Sequence, residues 1–405
     1  MAQHDVIVVG AGPAGLSAGA ALSSTLDCLV LDQGRDHTRR DRNDPREILG
    51  GIGGAGLFSD GKHSFWPAAT ALWQLPDPER LGAAFAATAA LLARHGVVAE
   101  PWRRDPPAPG RPGAWSFKRY PSIYMPLAAR MDTIAELASA CAALSPATRV
   151  LAARREGDEI LLEVDRDGAR RTLSTRALVL ATGRLSPRWI VPWLAPLSAR
   201  ATFRRLEFGL RIESLRDAPL FRRLVGVDPK LRLLDPDGTT EVRTFCVCRD
   251  GEVVTGETHG VVARSGRADG PPSGRSNLGL LVRTTDRALA DSVAARLFTA
   301  PARSLPLAAL DLAALAPSFG DAGAAAVLHA VERLAAWSPG LLADRSAVAH
   351  TPCIEGVGDY PDDDGALKIA PGVWVAGDAC GRFRGIVASM ISGRYVAASV
   401  ARELR

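Results

Sequence analysis

One hexapeptide constrains this chain more than any other: Gly10-Ala11-Gly12-Pro13-Ala14-Gly15, set between a short apolar run and a small-residue helical stretch. Residues 5–9 (DVIVV) are apolar without alternation, as a parallel strand buried on both faces requires. AGLSAGAALSS is helix-compatible, and LDCLVLD at 26–32 reads as a second buried strand, so the chain opens as a βαβ unit. Each glycine has a physical reason. Gly10 allows the tight turn, Gly12 lets the backbone approach a pyrophosphate, and Gly15 lets the helix pack closely on the strand. Pro13 and Ala14 belong to the helix start, whose unsatisfied N–H groups and positive dipole end face the phosphates. Asp32, 22 residues beyond Gly10, is placed to accept hydrogen bonds from a ribose 2′-hydroxyl. The motif predicts a dinucleotide fold and leaves FAD and NAD both open.

Two later segments favour FAD. ALVLATG at 177–183, ending in Thr182-Gly183, has the form of the middle strand and turn of two-dinucleotide-fold flavoproteins. GVWVAGDACGRFRGIVASMISGRYVAASVA supplies a strand, Gly377-Asp378, a glycine-bearing loop and, from Gly385-Ile386, a helix. In flavoproteins this arrangement aims the aspartate at the ribityl or phosphate region. The helix start then faces the pyrimidine end, where it stabilises charge on the reduced ring.

A second glycine loop runs from Gly50 through Gly53-Gly54-Ala55-Gly56-Leu57-Phe58-Ser59-Asp60-Gly61-Lys62. With ATGR at 181–184, FGLRIE at 208–213 and RTFCVC at 243–248, it resembles the broad family of poorly characterised FAD-dependent dehydrogenases. That family carries a GGAG-x-FSDGK loop and an RTFC-type segment, and the resemblance covers most of the chain. It implies a glutathione-reductase-type FAD fold and a redox role, with no defined substrate. Longer members carry an extension ahead of the first strand, whereas this sequence starts at that strand. Within the loop, Gly53, Gly54, Ala55, Gly56 and Ser59 are candidates for cofactor contact, because glycine-rich backbone approaches flat or phosphorylated groups. Asp60 and Lys62 are the catalytic candidates: a lysine near flavin N5 or O2 stabilises developing negative charge. The competing reading is that Asp60 and Lys62 pair and fix the loop.

Other side chains have a functional and a bland reading. Cys246 and Cys248 alternate on a predicted strand and so share a face; CVC on a strand fits a redox pair poorly and reads as buried structural thiols. Cys380 reads as a packing residue. Arg382 and Arg384 can bind an anionic substrate or cofactor phosphates, or stand exposed as arginines commonly do. Trp189, Trp193, Tyr120 and Tyr124 either wall a pocket or serve as core. No Cys/His spacing suggests a metal site.

The expected fold class is α/β: a Rossmann-like FAD-binding domain on a parallel sheet, with an inserted α+β substrate domain on an antiparallel sheet. The expected division is 1–66, 149–200 and 346–405 for the FAD-binding parts, 67–148 for a helical insert, and 201–345 for the substrate domain. Helices are predicted near 79–96, 126–144, 285–298, 305–315, 320–336 and 386–403, a strand meander over 149–183, and a surface loop at the proline cluster 101–113. Only four of the 49 basic residues are lysines and no dense basic stripe appears, so the net charge of +5 is not read as a nucleic-acid footprint. No membrane partner, signal peptide or disulfide framework is expected, and a cytoplasmic location follows from those expectations. The predicted activity is hydride transfer between FAD and a small organic substrate, the flavin being reduced either by that substrate or by NADPH or NADH as a transient donor. Two alternatives remain: a single-component NAD(P)H-dependent flavin monooxygenase, and a non-catalytic FAD-binding sensor or assembly subunit.

Overall fold

A computed structural model describes residues 2–103, 112–236 and 238–405. Most of the proline cluster, 104–111, lies outside these residues. In chain order the strands are β1 (Ala2–Val9), β2 (Cys28–Leu31), β3 (Lys62–Ser64), β4 (Ser116–Lys118), β5 (Ser122–Tyr124), β6 (Ala143–Ser145), β7 (Thr148–Glu156), β8 (Glu159–Arg166), β9 (Ala169–Leu180), β10 (Ala201–Leu215), β11 (Lys230–Leu234), β12 (Thr240–Cys248), β13 (Glu252–Thr258), β14 (Val261–Arg267), β15 (Arg275–Thr284), β16 (Arg303–Pro306), β17 (Val348–Pro361), β18 (Lys368–Ala370) and β19 (Val373–Val375). The helices are α1 (Pro13–Leu22), α2 (Pro45–Ile48), α3 (Gly54–Leu57), α4 (Pro78–Arg94), α5 (Leu127–Ser139), α6 (Pro187–Leu194), α7 (Pro219–Arg223), α8 (Arg287–Leu297), α9 (Leu312–Trp337) and α10 (Ile386–Leu404).

The first sheet has the order β18-β19-β9-β1-β2-β6, with β7 and β8 attached to β9 as a meander. The β19, β9, β1, β2 and β6 pairings are parallel. Val6, Ile7 and Val8 on β1 and Leu178, Val179 and Leu180 on β9 have no exposed surface, as strands covered on both faces require. The strand β6 was not foreseen. It falls inside the helix predicted over 126–144, which stops at Ser139.

The second sheet is antiparallel, in the order β16-β17-β10-β15-β12-β11-β4. One face carries Phe208, Leu210, Leu280, Val282, Leu231 and Leu233 into a core completed by α8 and α9. This is the α/β class expected: a Rossmann-like parallel sheet joined to an antiparallel one. Two expectations need correction. β17 is a central strand of the antiparallel sheet, so the chain returns to the parallel sheet at Lys368, later than a boundary at 346 implies. The helix predicted at 305–315 is instead the end of β16, a single 3-10 turn at Leu307–Ala309 and the start of α9. Leu305 pairs with Ala349 across the sheet edge, and that pairing overrides local helix propensity. α9 kinks at Gly320, where φ is +68°.

Candidate functional site

Three glycine-bearing turns meet backbone to backbone at the carboxyl ends of β1, β9 and β19. Gly10 has φ +100°, and a Cβ there would lie 2.5 Å from the Ala181 carbonyl oxygen. At Gly15 a Cβ would lie 1.7 Å from the carbonyl oxygen of Gly10, which is the close helix–strand packing predicted for it. Gly54 comes within 2.9 Å of the Gly12 Cα by the same measure, and Gly377 within 2.8 Å of Ala14 Cβ. The Gly53 N–H donates to the Ala11 carbonyl at 2.8 Å, tying the second glycine loop to the first. Gly15 and Gly53 therefore stand behind the wall rather than in it, a correction to their assignment as cofactor contacts.

Gly12 differs from its neighbours. A Cβ at Gly12 would meet nothing nearer than 3.7 Å, so protein packing does not demand glycine there; approach of a ligand would. Both helices that open here, α1 at Gly12 and α10 at Gly385, lack a side-chain cap and an acidic residue in the first turn. Their first N–H groups and positive dipole ends are left for an anion. Asp32 closes this end. Its Oδ2 accepts from Ala11 N and its Oδ1 from Gly34 N, each at 2.8 Å, which fixes the carboxylate at the cavity rim.

The cavity has a volume of about 1260 Å³ and runs from Asp32 to the charged face of the antiparallel sheet. Of the sequence candidates, Gly10, Gly12, Pro13, Ala14, Asp32, Gly54, Ala55, Gly56, Ser59, Asp60, Lys62, Thr182, Gly183, Gly377, Asp378, Gly385 and Ile386 line it. Trp193 and Trp189 are also in the wall, the latter stacked on His259 with ring centroids 4.1 Å apart. Tyr120 lines it too, whereas Tyr124 stands outside with its ring centroid 5.8 Å from Lys62 Nζ. Cys380 is buried with its thiol 3.1 Å from the Gly377 carbonyl, a packing residue as expected. Arg382 pairs with Asp363, and Arg384 with Asp378, Glu355 and Glu207.

The loop at 50–62 is held by two buried arginines that sequence reading passed over. Arg40 Nη1 donates to the carbonyls of Ile52 and Gly54 at 2.8 and 3.0 Å. Arg130 Nη1 donates to those of Leu57 and Ser59, while its Nη2 pairs with Asp269. Burial pulls the Arg40 guanidinium down to about 10, against the pull of Asp32 and Glu47.

Asp60 and Lys62 pair at 2.9 Å. Lys62 Nζ also donates to the Val247 carbonyl and lies 3.5 Å from Asp228. Burial opposes both charges, yet each stabilises the other: Asp60 stays below the usual carboxylate range and Lys62 well above the usual lysine value. Asp228 accepts from Tyr120 Oη at 2.7 Å and, despite burial, is held at about 2 by Lys62 and Lys230.

The charged face beyond them was the main omission of the sequence reading. Glu241 and Arg243 on β12, Arg283 on β15 and Lys230 and Arg232 on β11 alternate with core residues and point away from the core, and Lys118 on β4 joins them beside Lys230. Lys118 and Lys230 are direct cross-strand partners. Burial and the surrounding cations push Lys118 down to about 7 and Lys230 to about 8. Period-two alternation of Lys230/Arg232 and Glu241/Arg243 was the available signal; partners far apart in sequence hid its meaning. Glu207, with no exposed surface, is the counter-charge, ringed by Arg205, Arg283, Arg384 and Arg243 at 2.5, 3.0, 3.5 and 3.7 Å.

Cys246 also departs from expectation. It is not a fully buried strand residue: it lines the cavity, has φ +47°, and breaks the register between Phe245 and Cys248.

The turn, the uncapped helix and the acidic strand end together form the strand–turn–helix arrangement of a Rossmann-type fold. No family model matches this chain, and no curated protein does. Solved structures similar to it include AlpK, at 16% identity and a TM-score of 0.44, matched over 99% of this chain and 62% of that one. A geranylgeranyl bacteriochlorophyll reductase-like protein from Thermoplasma acidophilum is 13% identical, with 99% and 79% of the two chains covered and a TM-score of 0.46. A flavoprotein/dehydrogenase from Cytophaga hutchinsonii is 12% identical, with 99% and 78% covered and a TM-score of 0.43. The chain thus spans less than two thirds of the length of AlpK. Among the described residues no helix is long and apolar enough to cross a membrane.

Proposed function

We propose that this protein is an FAD-dependent oxidoreductase that transfers hydride between FAD and a small anionic organic substrate. The observation that carries the reading is the meeting of three glycine turns and two uncapped helix starts around one cavity. At about 1260 Å³ it exceeds the roughly 300–1000 Å³ of an ordinary small-ligand pocket, leaving room for a dinucleotide and a second molecule. The residues fit the cofactor. Gly12, Ala14 and the α1 start would hold the pyrophosphate, Asp32 the adenosine ribose, and Asp378 with the α10 start at Gly385-Ile386 the far end. FAD, when bound, supplies a ring that accepts or gives a hydride.

The remaining work falls to this chain's side chains. Lys62, kept charged by Asp60 and Asp228, is a fixed cation at the cavity wall and stabilises negative charge that develops beside it. The pairing with Asp60 serves the loop as well, so the two readings of these residues are compatible. Lys118, Lys230, Arg243 and Arg283 face the same cavity and select an anionic substrate. Trp189, Trp193 and Phe245 close the wall and exclude water.

Anaerobic addition of NADPH, then NADH, to the purified protein tests the donor. Prompt bleaching of the visible flavin band means that a nicotinamide feeds the flavin, which directs the search to a reductase or monooxygenase substrate. A stable band means that the organic substrate is itself the donor. A protein that stays colourless after FAD is supplied overturns the proposal.

A further inference from the structure

The side chains of Cys246 and Cys248 are brought together by a backbone irregularity, and buried charges surround them. Cys246 takes φ +47° where the alternation of β12 fails, and the two sulfurs come to 3.5 Å from each other. Cys246 lines the cavity beside Asp60 and Lys62, and Cys248 lies fully buried behind it. The Cys246 thiol donates to Asp60 Oδ2 at 2.9 Å, and the same oxygen is 3.8 Å from Cys248 Sγ. On the other side, Arg211 donates through Nη2 to the Cys246 carbonyl at 2.7 Å and reaches Cys248 Sγ at 3.8 Å.

Two thiols that only fill space need no such company, because free cysteine packs as a small hydrophobe. Burying a carboxylate, an ammonium and a guanidinium around them is costly. Asp60, Cys246 and Cys248 do form a three-donor cluster of metal-ligand type. The Lys62 ammonium sits 2.9 Å from the carboxylate and already fills the place of a cation. What the arrangement offers is a hydrogen-bond acceptor, Asp60, and counter-charges, Lys62 and Arg211, for a thiol pair that changes oxidation state.

We propose that Cys246 and Cys248 are a redox-active dithiol that exchanges an electron pair with the flavin bound in this cavity; the inference rests on the FAD reading above. In the oxidising direction the two S–H bonds break and one S–S bond forms. The electron pair and both protons go to the isoalloxazine, so dithiol plus oxidised flavin gives disulfide plus two-electron-reduced flavin. Closing 3.5 Å to the roughly 2.05 Å of the bond takes side-chain rotation at the register break. The pair also has the asymmetry such a step uses. Contact with Cys246, with Lys62 adding to it, holds the Cys248 thiol below its ordinary value against burial; contact with Cys248, burial and the neighbouring Asp60 carboxylate hold Cys246 well above. Cys248 is the buried sulfur beside Arg211, and Cys246 the one that faces the cavity.

The test is an anaerobic dithionite titration of the flavin-loaded protein after mild oxidation by diamide, followed at the flavin band. Uptake of four electrons per flavin is expected for the wild type, and two for Cys246→Ser and for Cys248→Ser. The retained flavin spectrum shows that each variant is folded. Mass spectrometry gives a second reading: after oxidation, denaturation and alkylation, four of the six cysteines should be labelled, with 246 and 248 protected. A yellow wild type that takes up two electrons and labels all six cysteines overturns the dithiol and leaves the FAD reading standing. A colourless protein overturns the FAD reading, and the dithiol–flavin exchange with it.

Discussion

The two halves of the cavity are built from different materials. At the Asp32 end the wall is backbone: glycines at van der Waals limits, the uncapped start of α1 and one carboxylate pinned by two N–H groups. At the antiparallel-sheet end the wall is side chain: Asp228 among arginines and lysines drawn from six strands and a loop, with Glu207 and Glu241 buried behind them. A backbone wall is specified by short stretches of sequence, because each glycine serves a turn that its own neighbours make. A side-chain wall is specified only once strands distant in sequence have paired. On the proposed function the first half holds what every dinucleotide shares, and the second is free to select one substrate.

This contrast can be broken by substitution. Gly15→Val should have the largest effect. Its Cβ would meet the Gly10 carbonyl oxygen at 1.7 Å, and backbone cannot yield as a side chain can. Loss of about 4 kcal/mol or more is expected, read as insoluble or unfolded protein by circular dichroism. Next is Glu207→Gln, which leaves four arginines around a neutral group. A cost of about 3–5 kcal/mol is expected in urea unfolding at pH 7. The Glu207 carboxyl is held well below its ordinary value by those arginines, against burial. Its stabilisation is therefore present above the unfolded-state pKa and lost as pH falls through the folded one, so the gap between wild type and variant should narrow in acid.

Smaller effects sharpen the comparison. Lys118 is pushed down to about 7 by burial and neighbouring cations, so it carries charge only below that pH. Binding of sulfate, a dianion throughout, should weaken severalfold between pH 6 and 8, with a further loss as Lys230 discharges near 8. Lys118→Met should remove the first step. The slope has the same sign as that of Glu207 but lies in a higher window, where it relieves a penalty: between pH 7 and the ordinary lysine value the unfolded chain binds the extra proton, so this group's contribution rises with pH. Asp32→Asn is the second of these smaller effects. It keeps one acceptor for the two N–H groups and loses the charge, and FAD affinity should fall about tenfold, the ~1.5 kcal/mol of one charged hydrogen bond, by fluorescence titration.

The same contrast explains what could be read before the fold was known. Gly10 to Gly15, Asp32, the ATG turn and the Gly377-Asp378 segment were legible because motif and structure are local. The strand β6 was missed because ALS at 143–145 is three residues long and only half buried; its pairing with β2, not its propensity, makes it a strand. Arg40 and Arg130 were lost among many arginines, since nothing nearby in sequence marks the carbonyls they clamp. Cys246 was misread because a left-handed residue inside a strand breaks the alternation on which the reading depended. Asp228 has no motif at all; Lys62 and Tyr120, 166 and 108 residues away, give it meaning.

The central claim is that the backbone half of the cavity binds FAD, and one titration tests it most directly: FAD added to apoprotein of the wild type and of Gly12→Ala, followed by quenching of flavin fluorescence. Gly12 has no protein atom within 3.7 Å of an added Cβ, so the variant should fold as the wild type does. The account expects one FAD per wild-type chain and severely weakened binding by the variant at unchanged melting temperature. Absence of binding by the wild type, or equal binding by the two proteins, would contradict it.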